Sequence, residues 1–150
     1  MLFRSGSASA QTSDGITVGA VAAVNAVGSA VIGGGPHFWA APYERDAEFG
    51  GLGMPVSIPA QALNFRAKGQ PGENTTLVVV ATDAALTKMQ AARVAIMAQD
   101  GMAKALRPVH TPLDGDIVFV AATGLRKLSD PILGVAELGA LAAEIGRAHV

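Results

Sequence analysis

The sequence has no cysteine, one tryptophan, one tyrosine and three histidines in 150 residues. Without thiols there is no disulfide scaffold, no cysteine nucleophile and no thiolate zinc site. Charge is also sparse, at 15% of residues with a formal net charge of -1, and the two signs are mixed along the chain. That leaves no basic stripe for nucleic acid and no footprint for an anionic membrane surface, so the expectation is a small or neutral substrate. The first dozen residues carry Ser and Gly where a secretory leader needs an apolar core, which makes the cytoplasm the default expectation. The apolar stretch from Ile16 to Gly35 is built of Gly, Ala and Val and broken by Asn25 and Ser29, so buried strands are expected there, not a membrane span.

Half of the residues are hydrophobic. That composition supports one globular domain with a sizeable core. Leu2 to Ser5 and Glu144 to Val150 read like translated sequencing-adapter DNA, so residues 6–143 are taken as the domain proper, and His149 is given no role. Ile16 to Ile32 predicts two strands buried on both faces and divided at Gly28. Gly33 to Glu73 holds most of the prolines and shows no periodic element, which predicts a long irregular connection. Thr76 to Thr82 is a β-branched run expected to form a central strand, and Ile117 to Thr123 a further buried strand. Thr87 is the expected N-cap of a helix that turns Met89, Val94, Met97, Met102 and Leu106 toward one face and must end before Pro108. Pro131 to Ala143 predicts a second helix carrying Leu133, Leu138 and Leu141. The order of elements predicts an α/β layered sandwich.

Four places could carry chemistry. At Asn74-Thr75 a Pro/Gly stretch abuts a strand whose first residue bears a hydroxyl. Were that bond broken, Thr75 would begin a chain, and its own α-amine, titrating near 8, could serve as base for its hydroxyl. Self-cleavage would need the same hydroxyl to attack the Asn74 carbonyl; a polar loop simply entering a strand is the other reading. Asp114-Gly115-Asp116 sets two carboxylates two residues apart, either as ordinary turn chemistry or to orient an amine and tune proton transfer. Asn25, an amide inside an apolar strand, is either a core amide satisfied by backbone or an oxyanion donor. His37 and His110 read as residues that tie down loops, and with no thiol beside them metal binding is not expected. The clusters Gly33-Gly34-Gly35 and Gly50-Gly51-Leu52-Gly53 lead into proline and not into an amphipathic helix, which argues against a dinucleotide site.

Several blocks nevertheless occur in one order: Val24-Asn25-Ala26-Val27-Gly28-Ser29, Pro36-His37-Phe38-Trp39-Ala40-Ala41-Pro42, Glu48-Phe49-Gly50-Gly51, Asn74-Thr75-Thr76-Leu77 with Val79 to Ala84, and Arg107 to Asp116. Together they resemble the L-aminopeptidase/D-esterase family, which includes β-aminopeptidases and nylon-oligomer hydrolases. The resemblance covers nearly all of residues 6–143. It implies Thr75 as nucleophile, cleavage after Asn74, Asn25 near the oxyanion, and Asp114 and Asp116 beside the nucleophile. It also implies a four-layer α/β/β/α sandwich of the kind shared with ornithine acetyltransferases, with residues 6–74 ending one product chain and 75–143 belonging to the other. Implied substrates are short peptides, amino-acid amides and esters, and amide oligomers, with cleaved chains that stay associated and no cofactor; a homo-oligomer is expected. The family is roughly twice this long, so an upstream half would supply the rest of both sheets and, in nylon-oligomer hydrolases, an active-site lysine. An acyltransferase on the same fold, or an inactive fragment, are the alternatives.

Overall fold

The computed structural model describes residues 4–64 and 74–147. Four strands form one sheet in the order β1-β2-β3-β4, with β1 at Arg4–Gln11, β2 at Thr17–Asn25, β3 at Thr75–Ala84 and β4 at Ile117–Arg126. The first three are antiparallel neighbours, and β4 joins β3 in parallel. Short helical turns lie at Ala41–Tyr43 and Ala60–Leu63. The two long helices, numbered α1 and α2 here, span Lys88–Ala105 and Pro131–Arg147.

Strand formation follows from period-2 patterning. Val18, Ala20, Ala22 and Val24 on β2, and Thr76, Val78 and Val80 on β3, all point into the core. There they meet Val94, Ala98 and Met102 of α1 and Leu138 and Ala142 of α2. Because β3 and β4 are parallel, a crossover is required, and α1 provides it. Its N-terminus is fixed by a reciprocal cap in which the Gln90 N–H donates to Thr87 Oγ1 at 3.2 Å and the Thr87 N–H donates to Gln90 Oε1 at 2.8 Å. The helix ends at Ala105, before Pro108. The two helices cross closely because residue 101 is glycine: a Cβ there would overlap the Ala143 carbonyl.

Both long helices cover the same side of the sheet. The other side leaves Val21, Leu77, Val79, Ile117 and Phe119 each 39% or more exposed, a broad apolar face across β2, β3 and β4. Burial on both faces, expected for all these strands, is therefore seen on one face only, and β4 is mostly exposed. The second strand expected within Ile16 to Ile32 does not form. After Asn25 the chain leaves the ladder, and Ser29 and Val31 make only isolated bridges, to Arg107 and Phe38. The strand beside β2 at one edge is β1, whose Ser-rich sequence hid it. Gly6, Ala8 and Ala10 face inward at period two, while Ser5, Ser7 and Ser9 face water. The helix faces largely follow expectation, with Val94, Met102, Leu106 and Leu138 buried, but Met89 is 80% exposed and Leu133 is 68% exposed, and Ala98, Gly101 and Ala105 complete the buried stripe of α1. Small residues take these places because the helices pack so closely. No helix among the described residues is long and apolar enough to cross a membrane.

Candidate active site

The site forms where β3 begins. Thr75 is the first residue of the strand and pairs across the ladder with Asn25, the last residue of β2. Residues directly opposite in an antiparallel pair share a face. Asn25 and Thr75 thus project on the side away from the helices. Thr75 is half-buried, and Asn25 and Asn74 are buried.

The approach to β4 runs alongside. Asn74 bridges Asp114 in parallel, and the Gly115 N–H donates to the Asn74 carbonyl at 3.1 Å. The Thr75 hydroxyl donates to that same carbonyl oxygen at 2.6 Å. The peptide group between Asn74 and Thr75 is therefore held with its oxygen between a backbone N–H and the adjacent hydroxyl.

The two aspartates brace this arrangement. Asp114 accepts from the Val27 N–H at 2.8 Å and from the Thr111 hydroxyl at 2.8 Å, joining its loop to the segment that leaves β2. Asp116, whose side chain is almost fully buried, accepts from the Thr76 N–H at 2.8 Å and the His110 N–H at 3.0 Å. Charged acceptors on backbone amides make stronger bonds than neutral ones. Each carboxylate thus has both oxygens engaged by protein donors; Asp116 fixes the backbone just after Thr75, and Asp114 the segment that leaves β2. His110 adopts a positive φ of 55° and sets Nδ1 3.5 Å from Asp116 Oδ2. His37 lies elsewhere, its Nδ1 2.9 Å from the Gly53 carbonyl, where it ties two loop segments together. Among the described residues no group of His, Cys, Asp or Glu could hold a metal ion.

Two clefts flank the chain after β2. One, of about 520 Å3, is lined by Asn25, Val27, Gly28, Phe38 and Leu106. The other, of about 390 Å3, is lined by Val27, Ser29, Trp39, Arg107 and Pro108. The Arg107 guanidinium lies over the Trp39 ring at 5.2 Å, a cation–π arrangement. The buried indole N–H of Trp39 has no hydrogen-bond partner among the described residues.

The four residues singled out from sequence, Asn25, Thr75, Asp114 and Asp116, are thus brought into one neighbourhood. Sequence reading missed Gly115, because an Asp-Gly pair looks like a turn, and it missed the Trp39–Arg107 stack, whose partners are 68 residues apart. The Asn74-adjacent segment 65–73, part of the long loop expected between Gly33 and Glu73, lies outside the described residues.

Residues 5–145 match the model of peptidase family S58. The chain belongs to that family. This S58 chain is 42% identical over 122 residues to an uncharacterized aminopeptidase of Mycobacterium tuberculosis, an alignment covering 79% of this chain and 35% of that protein. It is 43% identical over 123 residues to one of Mycobacterium leprae, covering 79% and 32%. In three dimensions, 99% of it superposes on 38% of the L-aminopeptidase D-Ala-esterase/amidase from Ochrobactrum anthropi, described as a variant of the Ntn hydrolase fold, with a TM-score of 0.53 and 18% identity. It also superposes on 40% of a Burkholderia sp. β-aminopeptidase, with a TM-score of 0.52 and 20% identity. The S58 chain therefore spans about a third of the length of the curated relatives it matches. Its mixed α/β fold is that of Ntn-hydrolase aminopeptidases.

Proposed function

We propose that the full-length protein is a self-cleaving amide and ester hydrolase of the aminopeptidase type, with Thr75 as nucleophile after scission of the Asn74–Thr75 bond. The observation that carries this reading is the 2.6 Å approach of the Thr75 hydroxyl to the carbonyl oxygen of the preceding residue, at the first position of a central strand. Scission there turns an internal threonine into one with a free α-amine. That amine titrates near neutrality and can take the hydroxyl proton as Thr75 attacks a substrate carbonyl. Asn25, opposite in the ladder, is the side-chain donor suited to the tetrahedral oxyanion. Asp114 and Asp116 act as positioning residues through the backbone amides they hold. Family membership and relatives named as aminopeptidases support peptide-bond hydrolysis.

The reading is tested by supplying the full-length protein with amino-acid anilides, amides and esters. Release of the N-terminal acyl product by wild type, and none by Thr75→Ala, is expected. Equal rates for the two proteins would exclude Thr75. Adding an amine acceptor separates hydrolysis from acyl transfer, since a hydrolase keeps free acid as its main product.

A further inference from the structure

Arg107 carries a charge that no carboxylate among the described residues meets. Its backbone is pinned to the chain that leaves β2: the Ser29 N–H donates to the Arg107 carbonyl at 3.0 Å, and the Arg107 N–H donates to the Ser29 carbonyl at 3.1 Å. The two segments approach so closely that a Cβ on residue 28 would overlap the Pro108 carbonyl oxygen. With its base fixed, the side chain lays its guanidinium over the Trp39 ring at 5.2 Å. A ring face attracts a cation without using its N–H groups, so the stack orients the planar fork of donors and leaves it free. The adjoining cleft, at about 390 Å3, has the size of a small-molecule site. Among the described residues that line it, Arg107 is the only charged one; Gln61 and Asn64 add neutral amides, and Val27 carries its wall back toward Asn25.

We infer that this cleft takes the free C-terminal carboxylate of a short peptide, on the leaving-group side of the scissile bond, with Arg107 as the specificity-determining residue. The inference rests on the aminopeptidase reading. A free guanidinium in a cleft without acids suits a carboxylate, which it holds through two parallel N–H donors. The acyl side of an aminopeptidase substrate carries an ammonium group, which a guanidinium repels. The leaving side ends in a carboxylate, and its distance from the scissile bond grows with peptide length. Ser29, bonded to Arg107, lies four residues after Asn25, so the two are separated by at most roughly 14 Å. A carboxylate one to three residues beyond the scissile bond extends no more than roughly 11 Å. Dipeptides to tetrapeptides therefore fit, and a long chain gains nothing from Arg107.

The test gives the full-length protein the alanine dipeptide, tripeptide and tetrapeptide, each as free acid and as C-terminal amide. It reads the acid-to-amide ratio of kcat/KM in wild type, Arg107→Met and Arg107→Lys. Wild type should favour the acid roughly tenfold at one of these lengths, mainly through KM; that is the low end for hydrogen bonds to a charged group, because Arg107 is exposed. The ratio should fall to about one in Arg107→Met and keep part of its value in Arg107→Lys, which retains the charge without the fork. Both substrates meet the same protein, so a folding defect lowers both rates and leaves the ratio readable. A measurement independent of any substitution is the wild-type ratio against salt, which should shrink as ionic strength rises. A wild-type ratio near one at every length, a ratio indifferent to salt, or one unchanged in Arg107→Met would overturn the inference while continued hydrolysis leaves the Thr75 reading intact. A wild type that releases amino-acid anilides but cleaves none of the peptides would likewise overturn this inference alone; one inactive on both would remove the two together.

Discussion

Asn25 and Thr75 are directly paired across the β2–β3 ladder, an amide and a hydroxyl at the ends of adjacent strands. This pairing ties the oxyanion role proposed for Asn25 to the proposed nucleophile through the register of the sheet. Replacing Asn25 by alanine should lower kcat about 10²- to 10³-fold, the scale measured for loss of one oxyanion donor, with a smaller change in KM. Steady-state kinetics on the full-length enzyme check this. A change confined to KM would assign Asn25 to substrate binding.

Asp116 holds the first turn of the site together from a buried position, accepting from Thr76 and His110. Asp116→Ala leaves two backbone amides without their acceptor, and each such loss costs about 1–3 kcal/mol. Thermal or urea melting should show a clear destabilisation, with Asp116→Asn losing less because its carbonyl keeps one of the bonds. Equal stability of Asp116→Ala and wild type would show that the clamp has no structural weight.

How much of this was legible in the sequence depended on how local the cause was. The Thr87 cap, the β3 and β4 runs and the stop before Pro108 are set by neighbours in the chain, and they formed as expected. The outer strand β1 went unseen because its core face is Gly6, Ala8 and Ala10, residues too small to stand out in a hydrophobic pattern. On α1 the expected Val94, Met102 and Leu106 are buried, and only its first turn departs from expectation. Large Met89 sits in water while Ala98 and Gly101 sit in the core, because the helix spacing is set by the facing helix α2. At the site, residue types and order pointed to Asn25, Thr75, Asp114 and Asp116, but no local rule could show that Asp114 reaches the Val27 N–H, 87 residues away.

The open face of the sheet yields a physical prediction. Val21, Leu77, Val79, Ile117 and Phe119 form an apolar surface with no cover among the described residues. In the four-layer architecture that the family resemblance implies, a second sheet would pack here. Expressed as it stands, the 150-residue chain should bind a hydrophobic dye and self-associate. Leu77→Ser with Phe119→Ser should reduce both, as read by dye fluorescence and light scattering. A monomeric chain that binds no dye would contradict the missing-layer account.

Acid sensitivity has an identifiable contributor at the β1–β2 turn. The Asp14 carboxylate accepts from the Thr12 hydroxyl at 2.6 Å and from the Ser129 hydroxyl at 2.9 Å. These bonds, Thr12 first, hold its pKa below the ordinary 3.8. A carboxylate with a lowered folded-state pKa adds stability above 3.8, and that stability is lost as pH falls through the lower value. The group is exposed, so its share is small. Urea midpoints measured in steps below pH 5 should fall less steeply for Asp14→Asn than for wild type. Parallel acid limbs would place the acid sensitivity in other carboxylates.

The central claim, that Thr75 becomes the nucleophile by breaking its own bond to Asn74, is tested most directly by the intact-mass spectrum of the full-length protein beside Thr75→Ala. The account predicts two masses that sum to the precursor plus one water, with one chain beginning at Thr75, and a single uncut mass for the variant. One uncut mass in both proteins would contradict it.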